Sequence, residues 1–259
     1  MKVLDLLGYS VKKSIFIPAV LLFFLNLSTA FSQPPLSPNS INGNGEREGE
    51  WTLFFRDDFT PVDDQSQAAY YRIINYKNGK PVGDVIDYYI TGEIQWVGSL
   101  ISDNPDIIKD GFAVYYYKNG NKSGEGMFKN GKRDGHWIEW DESGGRGDGT
   151  YKDGRENGTW THWDRNGNKS SVGPFENGRR NGYWKEWYEY GGRGEGVYKE
   201  GKEEGLWTIF DSRGNKKGEG NFKNGLMHGP WIFRGDQGGK SAGKFVNDIK
   251  EGKWVFWRV

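Results

Sequence analysis

Three histidines are the residues of this chain best suited to bind a metal ion. His136 comes directly before a tryptophan, His162 lies two residues after one, and His228 comes directly before a glycine. Because the three differ in their position relative to the neighbouring aromatic residues, no common set of ligands recurs. The chain has no cysteine, which excludes disulfides, thiolate metal sites and thiol catalysis. We therefore predict no metal site and no cofactor.

Two glutamates could form the carboxylate pair of a glycosidase. Glu139 and Glu186 occupy equivalent positions of an internal repeat. The equivalent positions in the other repeats hold His162, Ile209, Phe233 and Phe256. Since most members of this set cannot act as an acid or a nucleophile, a solvated strand face is the better interpretation. We predict that the protein is not an enzyme.

The internal repeat is defined by its aromatic residues. Six tryptophans follow one another at steps of 23 or 24 residues: Trp137, Trp160, Trp184, Trp207, Trp231 and Trp254. A phenylalanine or tyrosine lies nine residues before each: Phe128, Tyr151, Phe175, Tyr198, Phe222 and Phe245. A fixed period of this length is typical of folds in which small units stack on their neighbours. We expect the two sets to form one structural ladder.

Each repeat has the pattern of a β-hairpin. In residues 126–140, two short aromatic stretches flank Asn130-Gly131, a dipeptide that supplies the positive φ angles of a tight hairpin turn. Gly126 and Phe128 are two residues apart and share a strand face, so the glycine leaves space for a neighbouring ring. From the second aromatic residue of one repeat to the next repeat, the step alternates between 11 and 12 residues. We attribute this alternation to a tight turn that varies by one residue.

The fold class follows from this pattern. We predict an all-β protein in which tandem antiparallel hairpins form one elongated, twisted, single-layer sheet. Six regular repeats occupy residues 122–259, and degenerate repeats with insertions occupy residues 46–121. Residues 33–45 consist largely of Pro, Ser, Asn and Gly, so we predict a disordered linker.

Residues 1–32 have the pattern of an export signal. Lys12 and Lys13 precede an apolar run, and small residues follow up to Ser32. The run is shorter than the roughly 20 apolar residues that a membrane span needs. We therefore expect cleavage near Ser32–Gln33 and a periplasmic, cell-envelope or extracellular location. An uncleaved N-terminal anchor is the alternative.

The charge balance excludes some classes of partner. Lys and Arg together number 35, as do Asp and Glu. This balance lacks the excess of basic residues typical of nucleic-acid-binding proteins. It also does not indicate a general attraction to anionic membranes, so a peripheral membrane protein is a less favoured alternative.

The tandem pattern Gly-x-Phe/Tyr-Lys-Asn-Gly-x-x-x-Gly-x-Trp-x-x-Trp, the middle part of which is seen in Phe222–Trp231, resembles MORN repeats. It is most similar to the bacterial variant found in YwqK-type antitoxins, and the resemblance covers about residues 71–259. It implies antiparallel hairpins laid side by side in one sheet. It also implies binding to proteins, membrane lipids or a toxin, and it brings no catalytic residues. The export signal distinguishes this chain from a cytosolic antitoxin.

A second aromatic series could provide a binding face. It lies three residues after the ladder tryptophans and comprises Trp140, Trp163, Trp187, Phe210 and Trp257. An offset of three reverses strand parity, so an unbulged strand would place this series on the face opposite the ladder. We predict an exported scaffold that binds another protein. A glycan-binding module of the cell envelope that uses these aromatic residues is the alternative.

Overall fold

The computed structural model describes residue 34 and residues 36–258, and it confirms the all-β fold class. The strands are β1 (Ser40–Ile41), β2 (Arg47–Phe55), β3 (Pro61–Val62), β4 (Tyr70–Lys77), β5 (Lys80–Tyr89), β6 (Ile94–Ser102), β7 (Ile108–Tyr116), β8 (Lys122–Lys129), β9 (Lys132–Trp140), β10 (Arg146–Lys152), β11 (Arg155–Glu156), β12 (Gly158–Trp163), β13 (Lys169–Glu176), β14 (Arg179–Arg180), β15 (Gly182–Trp187), β16 (Arg193–Lys199), β17 (Lys202–Phe210), β18 (Lys216–Lys223), β19 (Leu226–Arg234), β20 (Lys240–Val246) and β21 (Ile249–Trp257). One 3-10 turn, Gln65–Gln67, interrupts the described strands. None of the described residues belongs to a helix that is long and apolar enough to cross a membrane.

The strands form one antiparallel sheet that does not close. From β4 onward, each strand pairs with the next along the chain as far as β21. β11 and β12 are two parts of one interrupted strand, as are β14 and β15. Because each strand contacts mainly its neighbours in this order, the sheet is a single layer of hairpins.

The turn inside each hairpin has the predicted geometry. Asn130 and Gly131 have φ angles of 49° and 79°, as the central residues of a type I′ turn require. Positive φ pairs recur at Asp153–Gly154, Asn177–Gly178, Glu200–Gly201, Asn224–Gly225 and Asn247–Asp248. Asparagine tolerates this backbone region better than most residues, which accounts for its recurrence before glycine.

The turn between hairpins does not vary in length, which corrects the sequence prediction. Asp141–Gly145 and Asp164–Asn168 are both five-residue turns, closed by a hydrogen bond from the first N–H to the last carbonyl at 3.0 and 2.8 Å. The added residue of the longer repeats lies in the following strand, where the β12–β13 register skips Ser170. A turn closed in this way has a fixed length, so a β-bulge takes up the extra residue.

A second irregularity joins successive repeats. Around Gly135, whose φ is 94°, the register of β8 and β9 shifts. The carbonyl oxygen of Arg133 in this segment accepts a hydrogen bond of 2.9 Å from the N–H of Gly154, in the turn of the next hairpin. The same bond runs from Gly131 to Lys109, from Gly178 to Glu156, from Gly201 to Arg180 and from Gly225 to Glu203. The second glycine of the motif therefore accompanies a contact between repeats.

The rings of the first series form a continuous ladder on one face of the sheet. From Phe128 to Trp254, successive ring centroids are 5.2–6.2 Å apart and successive planes are inclined by 73–89°. This edge-to-face geometry is the favourable one for aromatic pairs. Five of the six tryptophans are at most 4% exposed, and Trp254 in the last strand is half-buried. The ladder is the core of the regular repeats.

Each indole of the ladder lies over a glycine. A Cβ atom added to Gly173 would lie 2.3 Å from the ring of Trp184, a distance that real Cβ atoms do not show. The equivalent distance is 2.2–2.4 Å at Gly126, Gly149, Gly196, Gly220 and Gly243. In this position Nε1 of Trp184 donates a hydrogen bond of 3.0 Å to the carbonyl oxygen of Pro174. Trp137, Trp160, Trp207 and Trp231 make the same bond at 2.9–3.1 Å.

The degenerate repeats keep the core filled by a smaller residue at the tryptophan position and a larger residue at the glycine position. In the hairpin of β4 and β5, Val85 takes the tryptophan position and Ile74 takes the glycine position. Both side chains are fully buried. A smaller residue in one strand is thus matched by a larger one in the other, which keeps the interior filled.

The segment predicted as a disordered linker, 33–45, is ordered where the structure describes it. Ser40–Ile41 pair with β2, and the side chain of Asn39 accepts a hydrogen bond of 2.9 Å from the N–H of Thr52. The polar composition did not prevent order because the outer edge of β2 offers unpaired backbone groups. The predicted export signal, 1–32, lies outside the described residues.

Candidate functional site

The second aromatic series lies on the face opposite the ladder. The pairs of β9 with β10 and of β15 with β16 run without interruption past both series. Strand alternation therefore turns residues three apart, such as Trp184 and Trp187, to opposite sides. Trp140, Trp163, Trp187 and Phe210 are half-buried, and Trp257 is 48% exposed. Within the described residues no ring contact joins two members, so the series is a row of separate rings.

Cationic side chains cover three rings of this row. The pairs are Arg146 on Trp163 (4.1 Å to the ring centroid), Arg193 on Phe210 (4.1 Å) and Lys240 on Trp257 (5.3 Å). Such contacts contribute about 0.5–1 kcal/mol at exposed sites. In the part of the chain that the structure describes, Trp140 and Trp187 have neither a cation nor a second ring over them. These two rings are open to a ligand without displacement of a cation.

Trp163 and Trp187 line a cleft of about 870 Å³ at the edge of the sheet. The cleft is bordered by the five-residue turns that precede β10, β13 and β16. Ser170, the bulged residue of β13, lies in the strand between the two tryptophans and also lines the cleft. The cleft thus combines two indole rings with polar turn residues.

The aspartates of the cleft are held by their own turns. Asp164 accepts a hydrogen bond of 2.9 Å from the N–H of Asn168, and Asp141 accepts one of 2.6 Å from the hydroxyl of Ser143. These hydrogen bonds are the main cause of the lowered pKa of each carboxyl group. Both groups are therefore ionised near neutral pH and serve to fix the turns.

The two glutamates considered as a carboxylate pair are not brought together. Glu139 and Glu186 lie in β9 and β15, with three strands of the sheet between them. Arg133 binds Glu139 at 2.5 Å, and its guanidinium lies 4.4 Å from the centroid of a ladder tryptophan. Arg180 likewise binds Glu186, and its guanidinium lies over the ring of Trp184, another ladder tryptophan. Each carboxylate therefore anchors a cation over the ladder.

The three histidines lie in separate environments. His136 is exposed and contacts Asp148 at 2.7 Å. Nδ1 of His162 lies 3.0 Å from the hydroxyl of Ser171, and burial lowers the pKa of this imidazole. A serine–histidine pair can support nucleophilic catalysis, but among the described residues no carboxylate bonds the other nitrogen of His162. In the same part of the chain, no three His, Asp or Glu side chains are placed to share a metal ion.

A charged cluster that the repeat pattern did not predict lies in the degenerate repeats. Arg72 and Asp87 form a bidentate ion pair of 2.6 and 2.8 Å, and both side chains are almost inaccessible. Lys109 Nζ lies within 5.7 Å of three ring centroids, and burial lowers its pKa to about 8. A signal was available in the sequence, because Arg72 occupies a position that is glycine or serine in the regular repeats.

The two edges of the sheet differ. The outer edge of β2 is covered by β1, by Asn39 and by β3. The outer edge of β21 carries no strand among the described residues, and Phe256 in it is 69% exposed. The ladder also ends there, where Nε1 of Trp254 is buried without a hydrogen-bond partner. An open edge of this kind offers a row of unpaired N–H and C=O groups.

Comparisons with known proteins do not identify the chain. No protein-family model matches it, and no curated protein matches it.

Proposed function

We propose that the protein is an exported, non-enzymatic scaffold of the MORN-repeat type that binds another protein. The observation that supports this most directly is the open edge of β21, whose outer backbone groups can pair with an added strand. Addition of an extended segment to a sheet edge is a common mode of peptide recognition, in which backbone hydrogen bonds supply affinity and side chains supply specificity. The residue pattern of 1–32 supports export.

The end of the ladder indicates what side chain the partner strand would carry. An interior tryptophan such as Trp231 contacts the Phe222 ring of its own repeat and the Phe245 ring of the following repeat. Trp254 contacts Phe245 but has no following ring among the described residues. A partner strand with an aromatic or large apolar residue beside Trp254 would complete the ladder and bury this indole.

The charge of the edge favours a different protein over a second copy of this chain. Three cations, Lys250, Lys253 and Arg258, and one carboxylate, Glu251, lie in or directly after β21. Pairing of two copies through this edge would bring like charges together, which is unfavourable. An acidic strand from another protein would instead be attracted.

Photo-crosslinking in the native cells tests the proposal. A photoreactive amino acid replaces Phe256 or, as a control, Leu206, which is 60% exposed in the interior strand β17. We expect a discrete adduct with one other protein from position 256 and none from position 206. Lys253→Glu should weaken that adduct because it removes an attraction for an acidic strand.

Two outcomes would contradict this function. Adducts that are the same from positions 256 and 206 would show that β21 is not a preferred edge. An adduct of the chain with itself would replace the partner protein by a second copy.

Export is tested separately by N-terminal sequencing of the protein from its native cells, which should begin near Gln33; retention of residues 1–32 would contradict cleavage.

A further inference from the structure

We infer that the cleft between Trp163 and Trp187 binds an extended, β-1,4-linked saccharide. The cleft lies at the edge formed by the five-residue turns and shares no residue with β21. The inference is therefore independent of the protein partner proposed above. It concerns a small-molecule site on the face that carries the second aromatic series.

The gap between these two tryptophans differs from the other gaps in the row. At the equivalent bulge of β18 the extra residue is Lys217, which is ion-paired with Asp236 and lies 3.7 Å from Asp211. In the gap between Trp187 and Phe210, the cation is Arg193, which stacks on the ring of Phe210. In the Trp163–Trp187 gap the residue at the register position of Arg193 is Lys169, which among the described residues stacks on no ring, and the bulged residue is Ser170, a small uncharged side chain. This leaves the ring of Trp187 uncovered, as a platform on which the C–H face of a sugar can stack.

Unengaged polar groups surround this platform. Among the described residues, no hydrogen bond or ion pair involves the side chains of Ser170, Lys169 or Ser212, all of which line the cleft. Hydroxyl and ammonium groups can donate to sugar hydroxyls, and the serine hydroxyls can also accept. A few polar groups around an aromatic floor are the usual composition of a small-molecule site.

The dimensions and the charge select the ligand class. Trp163 in β12 and Trp187 in β15 are separated by β13, so they are about 10 Å apart across the sheet. This is close to the length of two sugar residues in an extended β-linked chain, so a chain with one sugar ring stacked on the open indole of Trp187 would extend as far as the indole of Trp163, which Arg146 covers. Three carboxylates, those of Asp141, Asp164 and Glu189, line the same cleft. They outnumber its two cations and disfavour a polyanion such as nucleic acid.

Calorimetric titration of the full chain tests the inference with three hexasaccharides. Cellohexaose and chitohexaose are extended β-1,4-linked chains with different 2-substituents, and maltohexaose is a curved α-linked control. We expect binding of at least one β-1,4-linked hexasaccharide and none of maltohexaose. Trp187→Ala should weaken binding about tenfold or more, the loss of roughly one aromatic contact. Phe210→Ala, at the same repeat position but outside the cleft, should change affinity less than about twofold.

A second variant keeps the test independent of folding. Ser170→Arg would place a bulky cation in the Trp163–Trp187 gap and should abolish binding while the melting temperature stays unchanged. Phe256→Lys in β21 should leave saccharide affinity unchanged, which separates this site from the protein partner. The inference is overturned by absence of binding to both β-1,4-linked hexasaccharides or by equal binding of maltohexaose. Equal losses from Trp187→Ala and Phe210→Ala would also overturn it.

Discussion

The indole Nε1 of Trp184 donates a hydrogen bond of 3.0 Å to the carbonyl oxygen of Pro174, which lies in the adjacent strand between Gly173 and Phe175. The indole can reach this oxygen because it lies over Gly173. One residue thus fills the space above the glycine and satisfies a main-chain acceptor. Five of the six ladder tryptophans have this double role, and Trp254 lacks the hydrogen bond, which makes the contribution of the bond testable.

Trp184→Phe should destabilise the protein by about 2–3 kcal/mol. The change leaves the carbonyl oxygen of Pro174 without its donor, which costs about 1–3 kcal/mol, and removes part of a fully buried side chain. Trp254→Phe is the matched control, because Nε1 of Trp254 has no hydrogen-bond partner and the ring is half-buried. Urea denaturation of both variants should show the larger loss at position 184; equal losses would mean that the hydrogen bond does not contribute.

Gly173→Ala should destabilise by about 3 kcal/mol or more. Its Cβ would lie 2.3 Å from the ring of Trp184, which is buried and cannot move without disturbing the ladder. Gly124→Ala is the control, because a Cβ there meets its nearest atom at 3.7 Å and the backbone has no positive φ. Thermal melts should separate the two variants clearly. A Gly124→Ala variant as unstable as Gly173→Ala would show that general strand effects, and not ring contact, require glycine.

The stability of the protein should rise between pH 8 and pH 10. Burial lowers the pKa of Lys109 to about 8, from 10.5. In this pH range the unfolded chain therefore holds a proton that the folded chain has lost, so raising the pH favours the folded state. Above pH 10 the trend should reverse, because burial raises the pKa of Tyr115 to about 12 and the unfolded chain then loses protons first.

Lys109→Met should remove most of the rise between pH 8 and pH 10, while Lys118→Met, at an exposed position, should preserve it. The measurement is the urea midpoint of each variant at pH 7, 8, 9 and 10. A rise that persists unchanged in Lys109→Met would assign it to another group.

The parts of the fold that the sequence predicts are those encoded within one hairpin. Asn130-Gly131 sets its turn, and the interval from Phe128 to Trp137 sets its register, so both could be predicted from local spacing. The bulge at Ser170 could not, since an extra residue in a turn and one in the adjoining strand give the same step between aromatic residues. Residues 36–45 are ordered because part of this segment pairs with the edge of β2, and the amino-acid composition of the segment could not predict this pairing.

The candidate site was predicted only in part, for a similar reason. Spacing identifies Trp163, Trp187 and Phe210 as one series. Which ring stays uncovered depends on where Arg146 and Arg193 fall after pairing, and this is a property of register across strands. Alternation along a strand predicts which face of the sheet a ring lies on. Whether a ligand can reach that ring depends on its neighbours in the adjacent strands.

The ladder face stabilises the protein, and we propose that the opposite face and the last strand bind its ligands. The most direct test is the difference in unfolding free energy between Trp184→Ala and Trp257→Ala. Trp184 is 0% exposed and contacts rings of two repeats, whereas Trp257 is 48% exposed in the terminal strand. Removal of a buried aromatic typically costs about 3–5 kcal/mol. We expect a loss of that size for Trp184→Ala and less than about 1 kcal/mol for Trp257→Ala; equal losses would make the second series part of the core and contradict the proposed division.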